Sequence, residues 1–307
     1  MHLIVPFAAP LSDAGRQALQ TLRLPQLEAL LSRLSLTLRD DGDALSLSPP
    51  HERALARALG FAGGDGELPW GAWLAAQDGV DTGDLAWGLL TPVHWEVGSD
   101  HVRLTDPAAL ALDEATSREL LAAVHELFES EGLLLVYGSA ERWYVAHESL
   151  QQLPTASLDR VIGRHLDAWL PAGQQARLMR RLQNEVQMLL YTHPVNAGRE
   201  TRGELPVNSF WLSGCGVAQP VRATEPPVID DRLREPALAE DWAVWADAWR
   251  ALDAGPISAA LRSAKPITIT LCGERHAVQF DTRERSLWQR LRGTLRGESA
   301  LPLLESL

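Results

Sequence analysis

Three observations predict a mixed α/β fold in which helices cover a central β-sheet. Apolar residues recur at helical spacing, as at Leu27, Leu30, Leu31 and Leu34, and again at Leu178, Leu182, Val186, Leu189 and Leu190. Short β-type runs come in pairs around turn residues, 133–137 with 142–146 and 267–271 with 276–280. The chain has 307 residues, 46% hydrophobic and 22% charged, enough to bury a core between such elements.

In chain order, residues 3–7 read as a first strand, punctuated by Pro6 and Pro10. Ser12 is a capping residue ahead of a helix over 13–22. Pro25 opens a second helix running to about residue 38, and 40–43 is a turn. The run Pro49-Pro50-His51-Glu52 opens a third helix, closed by Gly60, and Pro69 opens a fourth that carries Trp70 and Trp73. The N-terminal region, 1–88, is therefore expected to be mainly helical.

The pattern changes in the middle region, 89–218. Residues 94–97 and 101–104 flank Gly98-Ser99-Asp100, the chemistry of a hairpin turn. A helix over 113–130 stacks Leu120, Leu121, Val124, Leu127 and Phe128 on one face and stops before Gly132. A long amphipathic helix over 174–191 is stopped by Pro194, and 207–212 is a buried strand running into Gly214-Cys215-Gly216. The C-terminal region, 219–307, starts with a proline-rich linker over 219–227. A helix over 236–252, the paired strands, a short polar helix and a tail follow. Trp242, Trp245 and Trp249 share one face of that helix and are expected in the core.

Composition narrows the function. The net charge is −12, from 28 basic and 40 acidic residues, and repels nucleic-acid backbones. No apolar run approaches the length needed to span a membrane. The two cysteines, Cys215 and Cys272, are too few for a disulfide framework and fit a reducing compartment, so a cytoplasmic location is expected. Ser99-Asp100-His101 imitates a catalytic triad only in composition: triad members converge from distant positions, and consecutive hairpin residues alternate faces.

The densest polar constellation is His193-Pro194-Val195-Asn196, then Arg199, then Pro206-Val207-Asn208 before the strand. A proline-bounded loop between a helix end and a strand start can gather polar groups around a ligand. The same residues can equally tie down loop backbone. Arg199 with Arg142 from a neighbouring strand would suit a phosphate or carboxylate.

The run LLYTHPVNAGRETRGELPVNSFWLSGCG resembles the corresponding segment of the archaeal-type cofactor-independent phosphoglycerate mutases. Weaker similarities precede it in order, VHWEVGSDHVRLTDPAALALDEATSREL, GSAERWYVAH and LDRVIGRHLDAWLP, so the resemblance covers roughly 89–216. It implies a substrate-domain fold with His193, Asn196, Arg199 and Asn208 at motif positions, joined by Arg142 and Asp106, and a small phosphorylated or carboxylated metabolite as ligand. The sequence departs from the family at Pro92 and His94, where an arginine and an asparagine are expected, and at Ala109-Leu110-Ala111. The family's chemistry needs a serine nucleophile and two divalent metals in an alkaline-phosphatase-like domain that begins with a strand running into Asp-Gly. Here the first strand runs into Pro6-Phe7-Ala8-Ala9. The expectation is a non-catalytic, mutase-like protein without metal or cofactor, binding a metabolite or serving a regulatory role. A protein partner or a homodimer is compatible with it. An active metal-dependent mutase or phosphatase and a ligand-free interaction module are the alternatives.

Overall fold

The computed structural model describes residues 1–98, 101–282 and 300–307. Its strands are β1 (His2–Val5), β2 (Ser35–Asp41), β3 (Ala86–Val93), β4 (Trp95–Val97), β5 (Val102–Leu104), β6 (Leu134–Ser139), β7 (Arg142–Ala146), β8 (Ser209–Val217), β9 (Val228–Ile229), β10 (Thr268–Cys272) and β11 (His276–Asp281). The helices are α1 (Asp13–Thr21), α2 (Pro25–Arg33), α3 (Pro50–Leu59), α4 (Trp70–Gln77), α5 (Glu114–Glu129), α6 (Arg177–Tyr191), α7 (Pro194–Thr201), α8 (Arg234–Leu238), α9 (Trp242–Leu252), α10 (Ser258–Arg262) and α11 (Ala300–Glu305). The fold is mixed α+β, and no described helix is long and apolar enough to cross a membrane.

The chain divides into two compact units. A terminal unit combines Met1–Ala44, Pro49–Gly60 and Arg222–Leu307, and an inserted unit combines Leu45–Ser48 with Phe61–Val221. The sequence-based division at 88 and 218 differs from this one, because the first strand pairs with a partner near the other end of the chain. The proline-rich linker over 219–227 does contain the crossing from one unit to the other.

In the terminal unit the sheet order is β2-β11-β10-β1-β9, with β1 parallel to both β10 and β9. One face buries Leu3, Val5, Ile269 and Leu271 against Leu19 of α1, Leu27 and Leu30 of α2, and Trp245 and Trp249 of α9. The other buries Ile4, Cys272 and Ala277 against Ala54 of α3. Ser12 caps α1 by accepting from the Gly15 amide at 3.2 Å. Helix α2 has Leu24 at its cap position, which offers no side-chain acceptor; the Asp253 carboxylate supplies one, accepting from Leu27 at 2.7 Å and Gln26 at 3.2 Å.

Three local expectations change here. The second helix ends at Arg33 and residues 35–41 form a strand, because Leu36 and Leu38 alternate with Thr37 and Arg39 as well as continuing a helical spacing. The N-terminal segment thus contributes two strands to a sheet. The helix expected over 236–252 is interrupted, with Glu240 at φ 53° between α8 and α9. The short polar helix expected near the C-terminus lies largely outside the described residues, as do Ser99 and Asp100 of the hairpin turn.

The inserted unit holds a second sheet, β6-β7-β3-β8, antiparallel throughout. Its central strand β3 was not expected: the run into Pro92 is continuously apolar and shows no alternation, since the sheet is covered on both faces. Leu90, Trp143, Val145, Phe210 and Leu212 face α5 and α6, as expected for those two helices. Trp87, Tyr144 and Ala146 face α4. The Trp143 indole donates to Ser117 at 2.9 Å, and Ser117 donates to the Ala140 carbonyl at 2.7 Å, so the buried polar atoms under α5 are paired.

Helix α4 comes unusually close to its sheet. A Cβ added to Gly71 would lie 2.7 Å from Gly88 Cα of β3, and one on Gly214 would lie 2.7 Å from Trp70 Cβ. Gly214 and Gly216 therefore sit within strand β8 and make room for α4, where a glycine-rich turn had been expected. Gly71→Ala should lower the stability of the inserted unit by about 1–3 kcal/mol through overpacking, although alanine is ordinarily the better helix former. Urea unfolding followed by fluorescence checks this, and an unchanged or raised midpoint would show that helix and strand have space to spare.

Candidate functional site

Pro194 ends α6 and starts α7. His193 has extended backbone, φ −70° and ψ 133°, and its Nδ1 accepts from the Val195 amide at 3.3 Å, capping the new helix. The proline-bounded loop expected here is in large part this helix, which points Asn196 and Arg199 inward, both buried.

Asn196 is bonded on both sides of its carboxamide. Its Nδ2 donates to the Leu190 carbonyl at 2.8 Å and to the Val207 carbonyl at 2.7 Å, while its Oδ1 accepts from the Val207 amide at 2.9 Å. One side chain thus ties the last turn of α6, whose Leu190 carbonyl also accepts from the Thr192 and His193 amides, to the residue leading into β8. Arg199 is 1% exposed. It donates from Nε to the Leu205 carbonyl at 2.8 Å and from Nη2 to the Leu110 carbonyl, and its Nη1 lies 3.4 Å from Glu204. Asp106 accepts from the Ala108 amide at 3.0 Å and so caps the short turn Pro107–Leu110 whose last carbonyl Arg199 binds.

Asn208 closes the arrangement from the strand side. Its Oδ1 accepts from the Trp95 amide at 2.7 Å and its Nδ2 donates to the Trp95 carbonyl at 2.9 Å. His94, at a position where the mutases are expected to differ, pairs its Nδ1 with the Pro206 carbonyl at 2.9 Å. The buried Trp95 Nε1 has no partner among the described residues.

Arg142 is not brought to this place. It precedes Tyr144 by two residues on β7, so it shares the face that packs on α4, opposite the face of α5 and α6. There it forms a bidentate pair with Asp78, at 2.9 Å and 3.1 Å from Nη2, and donates from Nε to Tyr144 Oη at 2.8 Å. Tyr144 in turn donates to Asp78. The Tyr144 hydrogen bond, then Arg142, hold the Asp78 carboxyl below its ordinary value, and burial pushes the Tyr144 phenol up. Sequence reading missed Asp78 and Tyr144, since nothing local links an aspartate to an arginine 64 positions away.

The constellation singled out in the sequence thus divides. His193, Asn196, Arg199, Asn208 and Asp106 form a clasp whose hydrogen bonds run mainly to backbone, and Arg142 belongs to a separate triad. The Cys215 thiol, expected as a small buried group, is pushed up to about 12 by complete burial, which keeps it protonated at neutral pH.

At the other place the resemblance points to, the end of β1, the side chains of Pro6, Phe7, Ala8 and Ala9 carry no ligating atom. The Phe7 carbonyl accepts from the Trp245 indole at 3.0 Å and the Ala8 carbonyl from the Trp249 indole at 3.2 Å. The Ala8 amide donates to Cys272 O at 2.8 Å. Among the described residues no three His, Cys, Asp or Glu side chains cluster as a metal site would require.

No protein-family profile and no curated protein matches this chain. Among solved structures it is similar to the cofactor-independent phosphoglycerate mutase from Thermoplasma acidophilum, at 15% identity and a TM-score of 0.40, over 100% of this chain and 99% of that one. It is also similar to the PH0037 protein from Pyrococcus horikoshii, at 13% identity and a TM-score of 0.46, over 99% and 96% of the two chains.

Two outcomes are expected. Arg199→Ala should cost about 3 kcal/mol with no ligand present, because it strands the buried Leu110 carbonyl, releases that of Leu205 and empties a buried site. Thermal or urea unfolding of the apo variant checks this, and wild-type stability would contradict the clasp. Asp78 is depressed in the folded state, so its contribution is complete above the unfolded carboxylate pKa and disappears as pH falls through the lower folded value. Asp78→Asn should therefore flatten the acid limb of a stability-against-pH curve. An acid limb identical to that of wild type would show that this triad adds nothing.

Proposed function

We propose that this chain is a phosphoglycerate-mutase-like protein that acts by binding, in a regulatory role, and does not catalyse the reaction of the family it resembles. The supporting observation is the end of β1. The resemblance would place there the Asp-Gly that opens a two-metal domain, and the sequence has Pro6-Phe7-Ala8-Ala9. Ala8 and Ala9 offer no ligating side chain, and the carbonyls of Phe7 and Ala8 already accept indole N–H groups. Two-metal phosphoryl chemistry needs clustered, deprotonated oxygen and nitrogen ligands to stabilise attacking and leaving oxygens. The residues at this place do not fit that requirement.

The clasp supports the same reading from the other unit. Arg199 would be the principal charged group for a phosphate, and its guanidinium is turned into the protein to bind carbonyls. Its neighbours Asn196 and Asn208 offer their amides to the backbone. What the motif residues preserve is the shape of the scaffold, and that shape is available to a partner or an effector at its surface.

Purified protein supplied with Mn²⁺, Zn²⁺ or Mg²⁺ should interconvert no phosphoglycerates and release no phosphate from them. Elemental analysis of the untreated protein should find less than one bound transition metal per chain. Metal-dependent turnover that disappears with chelation would overturn the proposal.

A further inference from the structure

We infer that the polar half of one face of the terminal sheet is a binding site for a small uncharged polyol of monosaccharide size. The inference is independent of the non-catalytic reading and uses different residues.

Strand register fixes which side chains share this face. His2 is opposite Thr268, Thr268 opposite Asp281 and Thr270 opposite Gln279. The neighbouring positions on the same face, Ile4, Cys272 and Ala277, are covered by α3 and are apolar, as a sheet face under a helix should be. The pattern then changes to polar residues on adjacent strands, with Thr37 of β2 joining them. A cavity of about 690 Å³ opens over His2, Thr37, Thr268, Gln279 and Asp281, with Thr270 buried beneath, and its volume is within the range of small-molecule sites.

The polar groups are partly bonded to one another. Thr37 donates to Asp281 at 2.7 Å, Gln279 Nε2 donates to the same carboxylate at 3.2 Å, and His2 Nε2 pairs with Thr270 at 2.8 Å. These bonds fix the side chains in place. They leave His2 Nδ1 and Gln279 Oε1 without protein partners among the described residues. Both residues are half-buried and neither group is a buried orphan, so a ligand hydroxyl can take the place of solvent there.

Charge selects the ligand class. Asp281 is a carboxylate held in the ionised form by hydrogen bonds from Thr268, Thr37 and Gln279, which outweigh its burial. Burial favours the neutral form of His2. The nearest guanidinium on the cavity wall, Arg57, is paired with Asp40. An anionic ligand would meet an uncompensated carboxylate. Ligand hydroxyls can donate to Asp281, Gln279 Oε1 and the Thr37 oxygen, and can accept from Gln279 Nε2. Pro266 and Ile267 give one wall an apolar surface for the C–H face of a ring.

The test uses the full chain, with D-glucose, D-ribose and myo-inositol as probes and inorganic phosphate as the contrasting ligand. Titration followed by amide NMR shifts should show saturable binding of at least one polyol, with the largest shifts at Thr268, Gln279 and Asp281, and none with phosphate. Gln279→Ala should weaken that binding by about tenfold, which is about 1.4 kcal/mol, and Asp281→Asn should do the same. If either variant fails to fold, the wild-type shift map still decides. Three outcomes would overturn the inference: no saturation with any of the three polyols, shifts mapped to another face, or binding of phosphate at these residues.

Discussion

The Asn196 carboxamide is the interaction on which the inserted unit depends. Pro194 obliges α6 to end and the chain to turn, so the helix end has to be tied down at the Leu190 carbonyl and a strand entry placed at Val207. Asn196 meets both needs with three hydrogen bonds, all buried. Each such bond adds about 1 kcal/mol net, but an unmade one in the same place costs more, so the arrangement is held or lost together. Asn208, next in the chain, then fixes the turn from β3 into β4 through Trp95, and the pairing of Val93 with Ser209 follows from it. Arg199 extends the same device to the Leu110 turn.

Much of the fold was legible where end signals and periodicity agreed. Ser12, Gly60 and Asp113 mark helix ends that the structure places within a residue or so, because capping is local chemistry. Legibility failed where two periods fit the same residues, as at 34–38, and where neither did, as along β3. It failed also for the pairing of β1 with β10, because no local signal relates residues separated by most of the chain.

The candidate site was legible in residue type and only partly in role. Buried Asn, Arg and His side chains are costly unless bonded, so their concentration over 193–208 signalled a specific arrangement. Sequence could not say whether the partners were backbone or ligand. In the structure Asn196, Arg199 and Asn208 all bond to backbone. Arg142 was misplaced because alternation along β7, which assigns it to the α4 face, becomes informative only once the strand's orientation is known. Of the α9 tryptophans, Trp245 and Trp249 lie in the core as read and Trp242 packs against it partly buried, yet the donation of the first two to the loop after β1 is a tertiary fact.

The central claim is that residues resembling a substrate motif now serve as an internal clasp. Side-chain ¹⁵N NMR of Asn196 and Arg199 tests it directly, with hydrogen exchange measured before and after adding 3-phosphoglycerate. The account predicts that the Asn196 carboxamide and the Arg199 guanidinium protons exchange slowly, in step with the core of the inserted unit, and that 3-phosphoglycerate moves neither their shifts nor their rates. Fast exchange in the free protein, followed by protection and shift changes on adding 3-phosphoglycerate, would contradict it.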